Sequence, residues 1–169
     1  MNRIRIFQVL TVSMIFVLLA IPSYSFAGDN VDFTGEWALN ESKSDLGEGR
    51  AFAAFKIVVK QEGNTLTIER TRSGRDGEER TNSETLTMDG KENISENERG
   101  SSTSVVSWSD DGTTLTIKAT REFNRQGETF EMNSTEVWTL AEDGKILSIQ
   151  SDISSSRGER SATLVYEKK

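Results

Sequence analysis

Residues 136–149 read Glu-Val-Trp-Thr-Leu-Ala-Glu-Asp-Gly-Lys-Ile-Leu-Ser-Ile, which is two alternating segments on either side of a turn. Apolar side chains occupy every second position of each segment, at Trp138 and Leu140 and then at Leu147 and Ile149. Such alternation is typical of a strand with one buried and one solvated face. Asp143-Gly144 between them tolerates the positive φ angles of a tight turn. The stretch therefore predicts a β-hairpin.

The same pattern recurs along the last two-thirds of the chain. Glycine-centred turns follow one another at intervals of 10 to 17 residues, at Gly63, Gly74/Gly77, Gly90, Gly100, Gly112, Gly127, Gly144 and Gly158. Eight turns join nine strands, and the segment 33–40 adds another. A long meander leaves two edges, which closure into a barrel removes. The sequence therefore predicts an all-β fold, a single antiparallel up-and-down β-barrel of about eight to ten strands.

Residues 1–27 have the layout of an export signal. Arg3 and Arg5 form a basic segment, an apolar stretch follows, and Ser25-Phe26-Ala27 is a small-x-small cleavage site. The apolar stretch, 6–21, is shorter than the roughly 20 residues of a membrane helix. We expect cleavage after Ala27, a barrel domain over 28–169, and a secreted or periplasmic location. An uncleaved membrane anchor is the alternative.

Sequons for N-glycosylation occur at Asn40, Asn93 and Asn133, and they would matter only in a eukaryotic secretory route.

The charge of the chain argues against polyanionic partners. The formal net charge is −7, and residues 1–27 hold two of the 20 basic residues and none of the 27 acidic ones. The remainder therefore carries −9. Affinity for nucleic acid and for anionic lipid comes largely from Lys and Arg. We expect no nucleic-acid partner, no membrane association after signal cleavage, and a monomer.

The chain contains no histidine and no cysteine. This excludes Ser–His and Cys–His nucleophiles, disulfides and nearly all zinc sites. Carboxylates remain, and glycoside hydrolysis needs only two of them across a cleft. Glu84, Glu92, Glu96 and Glu136 are candidates, although surface charge or structural ion pairing explains them better. We expect no enzyme activity, no cofactor and no metal site.

Alternation also assigns arginines and aromatic residues to the barrel interior. Arg70, Arg80 and Arg121 each continue the apolar face of their strand. A buried arginine needs a partner, which is either a carboxylate such as Glu136 or Glu84, or an anionic group of a ligand. The side chains predicted to contact a ligand are Arg70, Trp108, Arg121, Phe130, Ser134, Trp138 and Tyr166.

The segment 69–103 is poor in apolar residues, with only Leu86, Met88 and Ile94. Three hypotheses account for it: a solvated flap of sheet, strands that line a polar part of a cavity, or a disordered insert.

Several motifs resemble those of the calycin superfamily. Phe33-Thr34-Gly35-Glu36-Trp37-Ala38-Leu39 resembles its G-x-W opening strand, and the end of the chain, Val165-Tyr166-Glu167-Lys168, is similar to the fatty-acid-binding branch. The phrase at 138–145 also resembles secreted bacterial lipocalin-like domains. The resemblance implies that Trp37 closes the barrel floor and that Gly35 allows a bend or close packing. It departs at Leu164-Val165-Tyr166, where the branch has Arg-x-Tyr to hold a lipid carboxylate.

Three functions follow as hypotheses. The first is a lipocalin-like protein that binds a small hydrophobic or amphipathic molecule inside the barrel. The second is a structural or interaction protein with a filled barrel and no ligand. The third is an enzyme that uses carboxylates only.

Overall fold

The computed structural model describes residues 30–47, 53–74, 76–98, 100–125 and 127–169, and the predicted signal peptide lies outside them. Its strands in chain order are β1 (Gly35–Leu39), β2 (Lys56–Glu62), β3 (Thr65–Ser73), β4 (Glu79–Thr87), β5 (Glu92–Asn97), β6 (Gly100–Trp108), β7 (Thr114–Arg125), β8 (Glu128–Ala141), β9 (Ile146–Ser155) and β10 (Gly158–Lys168). Within these ranges, no helix is long and apolar enough to cross a membrane.

All ten strands form one antiparallel sheet in the order β4-β3-β2-β1-β10-β9-β8-β7-β6-β5. Every neighbour in this order is also a neighbour in sequence, except that β1 pairs with β10. That pairing brings the first and last strands together, and β4 returns to lie near β6. The sheet is therefore a nearly closed barrel, which confirms the predicted up-and-down architecture.

The register of the sheet places the apolar positions of adjacent strands opposite one another. Trp138 pairs with Leu115 on one side and with Ile149 on the other, and all three are buried. Because side chains alternate between the two faces of a strand, this register points a continuous apolar surface into the barrel. The alternation seen in the sequence is the cause of this arrangement.

One end of the barrel is filled by large side chains. Phe33, which precedes β1, has no exposed surface, and its ring stacks on Trp108 and meets Trp138 edge-on, both with centroids 5.8 Å away. Trp37 is also fully buried and donates its Nε1–H to the carbonyl of Phe33 at 3.0 Å. We call Phe33, Trp37, Trp108 and Trp138 the barrel floor.

The connection from β1 to β2 runs against β10 at the other end of the barrel. Asp45 and Thr163 exchange two backbone hydrogen bonds of 2.7 and 2.8 Å. Near the end of the connection, the carbonyl of Ala54 accepts a hydrogen bond from the hydroxyl of Tyr166 at 3.0 Å. The described parts of this connection are thus tied to β10.

The barrel has a seam between β4 and β5, which are consecutive strands but are not paired. The side chain of Asn93 crosses the lower end of this seam. Its Oδ1 accepts from the backbone N–H of Thr87 at 2.7 Å, and its Nδ2 donates to the carbonyls of Thr87 at 3.1 Å and Ser104 at 3.3 Å. The described residues of the apolar-poor segment 69–103 therefore form strands and turns, and among them no ladder of backbone hydrogen bonds joins β4 to β5.

Candidate functional site

The half of the barrel opposite the floor contains a cavity of about 750 Å³, which we call the main cavity. Its lining includes Ala53 of the β1–β2 connection, Phe123 near the end of β7, and Arg157 of the β9–β10 turn. The interior is thus divided along the barrel axis into a packed lower half and an open upper half. A volume near 750 Å³ falls within the range of about 300–1,000 Å³ typical of small-molecule sites.

One wall of this cavity is apolar. It is formed by inward-facing side chains of β8, β9 and β10, namely Phe130, Met132, Ile149, Ile153, Ala162 and Leu164. These positions continue the period-2 faces whose lower members pack in the core. The wall is therefore the exposed upper part of the same apolar surface that fills the floor.

The opposite wall holds Arg70 with two flanking arginines, Arg72 and Arg121, and we call it the charged wall. One of its Nη atoms donates to Glu84, and the other donates to Oε2 of Glu136 at 2.7 Å. The guanidinium also lies 5.7 Å from the centroid of the Trp138 ring. Burial alone disfavours the charged form, but the neighbouring Glu136 and Glu84 outweigh it and hold the pKa of Arg70 above its ordinary value. Arg70 is a fixed ionic centre with both ends of its guanidinium engaged.

Two further arginines flank this centre. Nη2 of Arg121 lies 3.8 Å from Glu84, a long ion pair, and its side chain is 36% exposed. Arg72 lines the same cavity, and burial together with the charge of Arg70 lowers its pKa. Five arginines and two glutamates line this cavity, namely Arg70, Arg72, Arg121, Arg157, Arg160, Glu131 and Glu136, and Arg70 also pairs with Glu84. Among these residues the positive charges outnumber the negative ones, and the binding of an anion would reduce that excess.

Tyr166 closes the cavity at its base. The phenol is fully buried and its hydroxyl is held by Ala54. Burial is the largest influence on this group and raises the pKa of Tyr166 above its ordinary value of 10.0. The ring therefore offers the cavity an apolar surface and a neutral hydroxyl already committed to the backbone.

The structure brings five of the seven predicted ligand contacts to the cavity: Arg70, Arg121, Phe130, Ser134 and Tyr166. The other two, Trp108 and Trp138, lie below the cavity in the floor, where both pack on Phe33. Arg80 is also not on the cavity wall, because its side chain is 65% exposed and pairs with Asp76 at 2.6 Å. Binding roles for the five remain predictions.

Sequence reasoning missed Arg72, Met132, Ile153 and Leu164, which also line the cavity. Arg72 follows Arg70 at the spacing that keeps two side chains on one face of a strand, so the signal was present. Within the described ranges, no three acidic side chains are grouped closely enough to hold a metal ion.

A second cavity, of about 590 Å³, lies along the seam between β4 and β5. We call it the lateral cleft. Eight of its fifteen lining residues are neutral and polar: Asn82, Ser83, Thr85, Asn93, Ser95, Asn97, Ser102 and Ser104. Leu86, Ile94 and Phe123 are the apolar residues of the lining. It meets the main cavity at Arg70, Arg72, Arg121 and Phe123, which line both.

Comparison of the chain with models of protein families and with curated proteins finds no match. Among solved structures, the fold is similar to zebrafish ileal bile acid-binding protein in complex with cholic acid, with a TM-score of 0.50. The two sequences are 18% identical, and the match covers 81% of this chain and 98% of that one. At this identity the likeness concerns the fold, and the chain has a calycin-like barrel of the fatty-acid-binding type.

Proposed function

We propose that this protein binds a small amphipathic molecule with an anionic group inside its barrel, in a secreted or periplasmic location. One observation carries the proposal: a cavity of about 750 Å³ has an apolar wall on one side and an arginine-rich wall on the other. An amphipathic ligand satisfies both walls at once, because its apolar part removes exposed hydrocarbon from water while its anion neutralises the excess charge.

Within the charged wall, Arg121 is the residue best placed to receive the anion. Arg70 already binds two carboxylates, and a ligand would have to displace one of them. Arg121 is more exposed and has only a long contact with Glu84. A guanidinium with a weak protein partner can form a short charge-assisted pair with a ligand at lower cost.

The other hypotheses are less well supported by this geometry. A filled barrel does not account for an open upper half. A carboxylate-only enzyme needs two carboxylates available to substrate, and Arg70 engages both Glu84 and Glu136. The solved structure of similar fold contains cholic acid, which is a small amphipathic ligand of that protein.

Binding is tested by native mass spectrometry of the gently purified protein, followed by extraction and identification of any bound molecule. Displacement of anilinonaphthalene sulfonate then gives affinities. We expect Arg121→Met to weaken an anionic amphiphile about tenfold and to leave a neutral analogue unchanged. Arg80→Met, at an exposed arginine outside the cavity, is the matched control. Absence of any adduct, together with equal affinities of both variants and the parent, would refute the proposal.

Export is tested separately by N-terminal sequencing of protein recovered outside the cytosol of the expressing cell. We expect the chain to begin at Gly28. Recovery of the intact N-terminus in the membrane fraction would support the anchor instead.

A further inference from the structure

The arginines of the charged wall stand between two cavities of different chemistry. Arg70, Arg72 and Arg121 line both the main cavity and the lateral cleft. On one side of them lies the apolar wall of β8–β10. On the other side lies the seam between β4 and β5, which is open because those strands are not paired. A molecule that reached from one cavity into the other would pass these guanidinium groups midway along its length.

The lateral cleft is richer in neutral polar side chains than the main cavity, so it is better suited to hydroxyl groups. Its neutral amide and hydroxyl side chains both donate and accept hydrogen bonds. Ser95 of β5 and Ser102 of β6 are register partners on the face that lines the cleft. Across the seam, Asn82 of β4 lines the same space. Within the described residues, the side chains of these three form no hydrogen bond, so they are available to a ligand.

The position of the arginines restricts which anion fits. The carboxylate of a fatty acid is a terminal group with one substituent. A fatty acid whose carboxylate bound these arginines would therefore leave the lateral cleft filled with water. A phosphodiester keeps one negative charge while it joins two substituents, and its free oxygens accept hydrogen bonds from guanidinium groups. It is the common biological anion that carries an apolar group on one side and a hydroxylated group on the other.

We propose that the ligand is a phosphodiester amphiphile that occupies both cavities. Its apolar chain lies on the wall of β8–β10, its phosphodiester contacts Arg72 and Arg121, and its hydroxylated head, of the glycerol or sugar type, lies in the lateral cleft. This inference rests on the proposed function, since it requires a ligand in the main cavity. It adds a second binding site, in the seam of the barrel, to that function.

The test uses three probes with one tetradecyl chain: tetradecyl phosphoglycerol, monotetradecyl phosphate and tetradecyl glycerol ether. Each is titrated by calorimetry into the parent protein and into the cleft variant Ser95→Ala/Ser102→Ala. The control variant, Thr103→Val/Ser107→Ala, changes two residues of β6, neither of which lines either cavity. We expect the cleft variant to bind tetradecyl phosphoglycerol about tenfold more weakly than the parent does and monotetradecyl phosphate equally well. Tetradecyl phosphoinositol in place of the glycerol probe distinguishes the two kinds of head.

The outcomes separate the two proposals. If the cleft variant loses affinity only for probes that have both a phosphate and a hydroxylated head, the result supports binding of the head in the lateral cleft. Equal effects of the cleft and control variants on all probes would overturn it, while tight binding of the phosphate probe would leave the proposed function standing. No binding of any probe, by parent or variant, would overturn both. Circular dichroism of each variant verifies that the barrel is folded.

Discussion

Glu136 and Trp138 are joined by a hydrogen bond between two side chains on the same face of β8, in which the indole Nε1–H donates to Oε2 at 2.9 Å. The same oxygen accepts from Arg70 at 2.7 Å. Because Trp138 is locked into the floor by packing, it fixes the carboxylate at the boundary between the two halves of the barrel. The carboxylate in turn orients Arg70, so the apolar floor sets the geometry of the charged wall above it.

Glu136→Leu should destabilise the protein by about 1–3 kcal/mol, because it leaves Nε1 of Trp138 and one side of Arg70 without an acceptor. The free energy of unfolding in urea, followed by tryptophan fluorescence, gives the value. Glu128→Leu, at an exposed position of the same strand, should change it by less than about 0.5 kcal/mol. Equal effects of the two substitutions would show that Glu136 has no organising role.

The aromatic contacts of Phe33 predict a larger loss in the floor. Phe33→Ala removes a fully buried ring that contacts Trp108 and Trp138, and should cost about 3–5 kcal/mol. Phe123→Ala, at a ring that is 42% exposed, is the matched control and should cost far less. The comparison is made by urea denaturation. A loss below about 1 kcal/mol at Phe33 would contradict a packed floor.

The sequence predicted the strands and the inward faces well, because period-2 alternation is a direct consequence of strand geometry. Alternation also predicted that Arg70 faces the barrel interior and could pair with Glu84 or Glu136, because all three continue apolar faces. It says which face a side chain occupies but not its depth along the barrel axis. Depth depends on where register places a residue relative to the turns. Trp108 and Trp138 were therefore predicted on the cavity wall, while the structure places them in the floor beneath Arg70.

The seam between β4 and β5 was beyond prediction from the sequence for a different reason. Ladder hydrogen bonds are made by backbone groups that every residue type carries, so their absence leaves no direct trace in composition. The scarcity of apolar residues around Leu86 and Ile94 left three hypotheses open: a solvated flap of sheet, strands that line a polar part of a cavity, or a disordered insert. That two arginine-containing cavities meet there follows from the three-dimensional closure of the sheet.

The seam gives a prediction for Asn93. Asn93→Ala removes the acceptor of the Thr87 amide and the donation of Nδ2 to the Thr87 carbonyl, both across the seam, together with the donation of Nδ2 to the Ser104 carbonyl of β6. Hydrogen exchange at the Thr87 amide should therefore accelerate at least tenfold, with a loss of stability near 1 kcal/mol. Asn64→Ala, in the exposed β2–β3 turn, is the control. Unchanged exchange at Thr87 would mean that the seam is held by other contacts.

A close backbone approach predicts a strong effect at Gly100. This residue has φ +144°, and a Cβ added to it would overlap the carbonyl oxygen of Glu122 on β7. Gly63 also has a positive φ, +57°, but an added Cβ would meet nothing within 4 Å. Gly63→Ala should therefore cost about 1–2 kcal/mol from backbone strain alone. Gly100→Ala should cost about 1–3 kcal/mol more, because β6 must shift from β7. Equal losses in thermal or urea denaturation would rule out the overlap.

The buried phenol of Tyr166 predicts a dependence of stability on alkaline pH. Burial raises its pKa above 10.0, so as pH rises through that value the unfolded chain loses the proton first. The stability that Tyr166 contributes is therefore fully present below about pH 10 and declines above it. Tyr166→Phe lacks the hydrogen bond to Ala54 and should be about 1 kcal/mol less stable at neutral pH.

The difference between the parent and Tyr166→Phe should consequently shrink, and then reverse, as pH rises above about 10. The phenolate absorbance provides a direct check, since the other tyrosine of the chain, Tyr24, lies in the segment predicted to be cleaved. In the processed protein, phenolate should appear only together with the loss of the circular dichroism of the sheet. A separate titration with a midpoint near 10 in the folded protein would show that the hydroxyl is accessible to water and that the cavity base is open.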